Sequence, residues 1–313
     1  MTLQQLHYAI VISEQGSMNK AAELLYIAQP SLTSAVKELE REIGITIFNR
    51  SGKGVSLTAD GTEFIAYARQ VYQQYETLCE KYMGGTVKKK FGVSAQHYSF
   101  AVQAFVEMVK QFGTCDYEFA IRETKTAEVI EDVSTLRSEI GVLYLSDFNR
   151  QTLTRLFQAH HLEFHKLIDC GVYAYIWKDN PLAEQNSVSL EELAEYPCLT
   201  FEQGDRSSFY LAEEIFSTNE LARVIKASDR STMLNLMKGL GGYTFCSGII
   251  CNDLNGSEYA AIPIRNETSI MEIGYITHKN VILSKMGAVY AQELQRCLSQ
   301  ARTDISPPAK SGV

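Results

Sequence analysis

The chain has 313 residues, 45% of them hydrophobic and 21% charged, which is enough apolar material for about two packed domains and too little charge for a disordered tail. Its longest stretch without Asp, Glu, Lys, Arg or His, Gly239 to Asn252, is 14 residues long and broken by glycines, short of the ~20 apolar residues a spanning helix needs, so no membrane association is expected. The net charge is −8, from 29 basic and 37 acidic residues, but residues 1–90 hold ten basic and nine acidic side chains; the acidity belongs to the remainder, and the first ninety residues are free to meet a polyanion.

In that first segment apolar residues recur at helical spacing. Leu3, Leu6, Ile10 and Ile12 open a helix that Gly16 ends, and Ser17 is placed to cap the next one by accepting from the unpaired amides of its first turn. Ala21, Ala22, Leu24 and Leu25 give a second short helix. Pro30 suits the first turn of a third, running from about Gln29 to Ile43. Leu32, Val36, Leu39 and Ile43 form its inward face, while Ser31, Thr33, Ser34 and Lys37 lie on the other. Two short helices joined by a tight turn, the second showing small hydrogen-bonding groups on its N-terminal half, make a helix-turn-helix; an α-helix fits the ~12 Å major groove of DNA and its first residues reach base edges. Extended runs at Ile45–Phe48 and Val55–Thr58 flank a tip carrying Arg50 and Lys53, a hairpin wing suited to phosphate contact.

The string Ala21-Ala22, Leu25, Gln29-Pro30-Ser31-Leu32-Thr33, Val36, Leu39-Glu40, Ile43-Gly44, Ile47-Phe48-Asn49-Arg50, Leu57-Thr58 and Gly61 closely resembles the winged helix-turn-helix of LysR-type transcriptional regulators. Ala28 stands where members often have Ser or Thr, and Ser34 where a longer polar side chain is frequent. The resemblance implies a sequence-specific DNA-binding regulator that responds to a small-molecule effector and is not an enzyme. The residues assigned to double-stranded DNA are Gln29, Pro30, Ser31, Thr33, Ser34, Lys37, Arg50 and Lys53.

From Ala59 one long helix follows. Phe64, Ala68, Val71, Tyr75, Leu78 and Tyr82 fall at alternating spacings of four and three, a seam that buries itself against another helix. The resemblance makes it the dimerisation helix, giving a homodimer whose recognition helices read two half-sites, with a homotetramer as the fuller assembly. Gly84-Gly85 ends it, and Lys88–Lys90 forms a basic hinge.

Beyond the hinge, strand-like runs (Phe91–Ser94, Tyr117–Ile121, Ile140–Tyr144, Val172–Ile176) alternate with helical ones (Phe100–Phe112, Thr126–Leu136), the rhythm of an α/β domain with largely parallel sheets. The stretches Asp179–Ala183, Val188–Leu193, Tyr196–Leu199 and Met237–Tyr243 are similar to the LysR effector domain. The expected fold is thus α plus α/β: a winged helix-turn-helix at 1–58, a linker helix and hinge at 59–87, and a periplasmic-binding-protein-like effector domain at 88–313. Its subdomain I would span about 88–164 and 268–302 and its subdomain II about 165–267, with crossings near Phe164–Leu167 and Ile264–Ser269. Ligands in such sheets meet strand ends and helix starts. That logic nominates Ser94, Gln96, His97, Thr124 and Thr126 from one side and Thr200, Phe201, Arg206, Ser228 and Ser231 from the other, a lining of hydroxyls with one arginine suited to a small organic anion.

Seven scattered cysteines without a CxxC pair fit reduced thiols of a cytoplasmic protein, as does a start with no basic residue before Lys20, unlike a secretory signal. The loop Gln203–Ser208 holds no cysteine of the kind that peroxide-sensing family members use, and Cys246 and Cys251 read as core. His160, His161 and His165 lack acidic or thiol partners at ligand spacing, so neither metal nor cofactor is expected. An enzyme on the same scaffold lacks a nucleophile elbow and a Gly-rich phosphate loop; a solute-binding protein would need an export signal.

Overall fold

The computed structural model describes the chain except for residues 52–53, 84–88, 114–115, 205–208, 217–220, 252–253, 255–256, 280 and 305–313. It divides into two compact units, Met1–Lys89 with Ser134–Arg137 and Lys90–Val133 with Ser138–Val313.

In the first unit, helices α1 (Leu3–Gln15), α2 (Met18–Leu24) and α3 (Gln29–Ile43) follow the punctuation of the sequence. Thr2 and Gln5 form a reciprocal capping box at the start of α1, and the Ser17 hydroxyl accepts the Lys20 amide at the start of α2. Gly16 and Gly44 close α1 and α3 at φ +59° and +76°, a left-handed conformation that glycine adopts without a Cβ clash. Ala28 occupies the N-cap of α3 with extended backbone and gives no side-chain hydrogen bond. Leu32, Val36 and Leu39 of α3 join Ala9, Ile12, Ala21, Ala22 and Ile47 in one buried cluster. Strands β1 (Phe48–Ser51) and β2 (Gly54–Leu57) pair antiparallel from Phe48 with Leu57 to Ser51 with Gly54. The ladder thus lies nearer the hairpin tip than the apolar runs suggest, because Ile45 and Ile47 pack on the helices instead. Helix α4 (Ala59–Met83) then begins.

The second unit contains two five-stranded sheets. The first has the order β4 (Tyr117–Glu123), β3 (Lys89–Ala95), β5 (Ile140–Leu145), β12 (Met271–His278), β6 (Leu162–Cys170). The second has the order β11 (Tyr259–Pro263), β7 (Tyr173–Trp177), β10 (Tyr243–Cys246), β8 (Cys198–Phe201), β9 (Val224–Ala227). Neither sheet is largely parallel. Strands β3 and β5, and β10, β8 and β9, pair in parallel, whereas β12 runs antiparallel to β5 and β6, and β7 antiparallel to β10 and β11. The antiparallel members are those that carry the chain out of one sheet and back from the other. Phe164–Leu167, expected as a crossing, lies in the middle of β6, paired with β12 up to Cys170; the chain leaves the first sheet only at Gly171. It returns between Pro263 and Met271.

Helices α5 (Ser99–Phe112) and α10 (Lys285–Asp304) cover one face of the first sheet, where the buried Tyr290 hydroxyl donates to the Ala101 carbonyl at 3.1 Å. Helices α6 (Thr126–Ser134) and α7 (Arg150–Ala159) supply Val129, Ile130, Leu153 and Phe157 to a second cluster with Leu143 and Leu145. Short α8 (Leu190–Leu193) packs with the second sheet, and Met233 and Met237 of α9 (Arg230–Leu240) lie on Tyr175 and Leu199.

Candidate functional site

Two surfaces and one cavity collect the residues of interest. On α3, burial of Leu32, Val36 and Leu39 turns Gln29, Pro30, Ser31, Ser34 and Lys37 outward. Thr33 is half-buried, and its Oγ1 accepts from Gln29 Nε2 at 3.0 Å. Glu40 ties this helix to the hairpin: its Oε1 accepts the Ile47 and Phe48 amides at 2.8 and 3.1 Å, and its Oε2 lies 3.8 Å from the Arg50 guanidinium. Arg50, one pair from the tip of the wing, thus faces an acidic partner on α3. Lys53 lies outside the described residues. Tyr26, in the turn between α2 and α3, adopts φ +54° and projects fully from the surface; nothing in its spacing marked it.

The seam of α4 divides in two. Phe64 and Ala68 pack within the protomer on Leu6 and Ile10 of α1, where Tyr72 also stacks on His7 at 4.8 Å. Val71, Tyr75, Leu78 and Tyr82 remain exposed, Leu78 at 57% and Tyr82 at 72%. The first two seam positions are therefore filled by the chain's own first helix, and the exposed apolar residues of the seam are those of its C-terminal half.

Between the two sheets of the second unit lies a cavity of about 90 Å³, lined among others by His97, Tyr98, Phe201, Glu213, Glu214, Arg230, Thr244 and Met271. Of the nominated residues, His97 and Phe201 reach it, their rings stacked 3.7 Å apart and 3° from parallel. The others serve elsewhere. Ser94 is fully buried and donates to Asp132 at 2.5 Å. Gln96 donates to Thr126 Oγ1 at 2.6 Å and accepts the Tyr144 amide at 3.2 Å, tying the end of β3 to the start of α6 and to β5. Thr124 donates to Glu128 one turn into α6. Thr200 sits in the β8–β9 ladder, and Ser228 and Ser231 are exposed beside Asp229, which caps α9 by accepting from Thr232. Arg206, on which an anion-binding lining leaned, lies outside the described residues.

Two carboxylates that no sequence motif marks, Glu213 and Glu214, organise the cavity. Glu213 accepts the His97 amide at 3.0 Å and bonds its Nδ1 at 2.9 Å, and Gln203 Nε2 donates to the same carboxylate at 3.0 Å. Gln203 Oε1 in turn accepts the Thr126 amide at 3.1 Å, so one run of hydrogen bonds joins the two sheets. Arg230 pairs with Glu123 across the same cleft. Glu214 accepts the Phe201 amide at 2.8 Å, and burial with the neighbouring Glu213 charge pushes its carboxyl up to about 8. Burial likewise drives the Cys246 thiol up to about 12, which keeps it protonated. Among the described residues no group of three His, Cys, Asp or Glu is arranged to hold a metal ion, and no helix is long and apolar enough to cross a membrane.

Residues 3–62 match the family model of the bacterial regulatory helix-turn-helix protein, lysR family, and residues 115–298 match that of the LysR substrate binding domain. The transcriptional regulator CysB of Burkholderia cenocepacia is 28% identical over 212 residues, covering 64% of this chain and 63% of the relative. AlsR of Bacillus subtilis is 28% identical over 205 residues, covering 64% of each; the chain spans less than two thirds of either relative. The uncharacterized regulator YbhD of Escherichia coli, 23% identical, is matched over 90% of this chain and 87% of its own length. Among solved structures, a full-length OxyR variant from Pseudomonas aeruginosa has a TM-score of 0.63 at 18% identity, with 95% of both chains covered, a likeness of fold.

Proposed function

Because the chain belongs to the LysR family of bacterial helix-turn-helix transcriptional regulators, we propose that it binds operator DNA through α3 and the β1–β2 wing, pairs with a second copy through α4, and takes a small-molecule effector between the sheets of its second unit. On this reading residues 1–58 bind DNA, 59–87 link and dimerise, and the rest receives the effector, in a cytoplasmic homodimer able to associate further into a tetramer. A two-fold dimer presents α3 twice, matching two half-sites of one operator. An effector acts by binding one arrangement of the second unit better than another, and it shifts the populations by that difference in affinity.

The observation that carries this reading is the polar flank of α3: Gln29, Ser31, Ser34 and Lys37 face outward while the opposite side is fully buried. A helix whose exposed N-terminal half carries small hydrogen-bonding groups and a cation is suited to base edges and phosphates. Lys37→Ala and Arg50→Ala are each expected to weaken duplex binding on every sequence and to lower the slope of log affinity against log salt by ~0.9. Titrations at several salt concentrations measure this; an unchanged slope in both variants refutes the assignment.

A further inference from the structure

The cavity between the two sheets is acidic where it is most enclosed. Glu213 and Glu214 both line it and both are buried, Glu214 at 4% exposure. The basic side chains beside them are engaged, Arg230 by Glu123 and His97 by Glu213. Glu214 accepts the Phe201 amide but, among the described residues, has no lysine or arginine within ion-pair distance. A second feature marks the same space as a binding site. Thr244 lines the cavity at 6% exposure, and its hydroxyl has no hydrogen-bond partner among the described residues. A buried hydroxyl without a partner is disfavoured unless a guest or water supplies one.

We propose that this cavity recognises a small organic cation, a protonated primary amine or the amine head of a longer molecule, with Glu213 and Glu214 flanking the ammonium and the Thr244 hydroxyl accepting one of its protons. The inference rests on the effector-binding reading above and names the chemical class of the effector. An ammonium offers three donors and the counter-charge that Glu214 lacks. An anion would enter against Glu213 with no uncommitted cation among the described lining residues to meet it. Met233, Leu234 and Ile249 line the rest of the space and suit a short alkyl portion. Size fits as well: an apolar cavity of about 150 Å³ holds benzene, so about 90 Å³ holds three or four heavy atoms. Because burial beside Glu213 holds the Glu214 proton up to about pH 8, a bound ammonium displaces that proton to solvent. Affinity then rises with pH, by up to about tenfold per unit.

The test uses the full-length protein, with calorimetry and thermal melts against ethylammonium and acetate at matched ionic strength between pH 6 and 8. Ethylammonium is expected to give a saturable rise in melting temperature with an affinity near the millimolar ceiling for so few atoms, tightening as pH rises; acetate gives none. Glu214→Gln, which keeps the acceptor for the Phe201 amide, is expected to weaken ethylammonium binding at least tenfold and to abolish its pH dependence. Thr244→Val weakens it severalfold, and the wild-type pH profile stands as a readout if Glu214→Gln does not fold. Saturable binding of acetate without ethylammonium overturns the proposal, as does equal ethylammonium affinity in wild type and Glu214→Gln, or no saturable response to ethylammonium. Binding of the same preparation to a labelled DNA duplex separates the two readings. Ethylammonium binding without duplex binding keeps the cavity assignment and removes the regulatory role, and duplex binding without ethylammonium binding does the reverse.

Discussion

The two units use their side chains in opposite ways. In the first, the face that folds the chain and the face proposed to meet a partner lie apart on the same helices: α3 buries Leu32, Val36 and Leu39 and shows Ser31, Ser34 and Lys37, and α4 buries Ile65 and Ala68 and shows Val71 and Leu78. In the second, the same groups do both. His97, Phe201 and Glu213 close the two sheets on each other and line the cavity between them. A guest in that cavity would therefore alter contacts that hold the sheets together, and on the proposed reading binding there would become a change of shape. A surface partner of the first unit has no such leverage. Substitutions should accordingly separate binding from stability in the first unit and couple them in the second.

The largest effect that would break this contrast concerns α4. If its exposed face is the dimer contact, Leu78→Glu removes an apolar side chain from the interface and places a charge there, and two-fold symmetry makes it count twice. At about 3 kcal/mol per protomer, the dimer dissociation constant rises by about 10⁴. Sedimentation at micromolar concentration should then show monomers whose circular dichroism is that of the folded wild type. A persisting dimer places the contact elsewhere, and loss of helical signal shows that Leu78 supports the protomer fold after all.

The same division decides how much of the molecule is legible in its sequence. Helix α3 is readable because its ends are marked by residues with one conformational reason to be there, Pro30 in the first turn and Gly44 in the left-handed cap, and because its core and partner faces alternate within fifteen residues. The α4 seam is only half readable. Phe64 and Ala68 have the same spacing as Leu78, but α1 folds over them, and periodicity does not distinguish a partner in the same chain from one in another. The cavity is hardly readable at all. Glu213 lies 116 residues from His97 along the chain, and two adjacent glutamates between Ala212 and Ile215 look like solvated charge until the fold brings the His97 ring against them. Strand β6 passes for a crossing because half-buried residues along its length leave no clear alternation, and its partner β12 lies about a hundred residues away.

Coupling of stability to the cavity has its own signature in pH. The Glu214 carboxyl is raised from 4.5 to about 8 by burial and by Glu213, so between those values the folded protein holds a proton that the unfolded chain has released. Stability must therefore fall as pH rises across that window, at a rate of no more than ~1.4 kcal/mol per pH unit from this group. Glu214→Gln should flatten that part of the profile in denaturant melts from pH 5 to 8, becoming stabilising relative to wild type toward pH 8. Parallel profiles for the two proteins would show that Glu214 titrates normally and that the cavity is more open to water than its burial indicates.

The smallest expected effect lies where the two demands come closest in the first unit. Ala28 holds the N-cap of α3 at φ −68° and ψ 134°, the extended backbone of a capping residue, yet its methyl group accepts nothing from the first-turn amides. Serine at this position would bond one of them and stabilise the unit by about 1 kcal/mol, a rise of about 4 °C in melting temperature for a unit of this size. On the proposed reading stability and DNA contact meet at this residue, since it borders Gln29 at the start of the exposed flank. If the faces are separable as argued, Ala28→Ser raises the melting temperature while duplex affinity at fixed salt changes by less than about threefold. A larger change in affinity without a gain in stability would mean that the first-turn amides of α3 are already satisfied by DNA in the working complex, and that the missing cap is itself part of the contact surface.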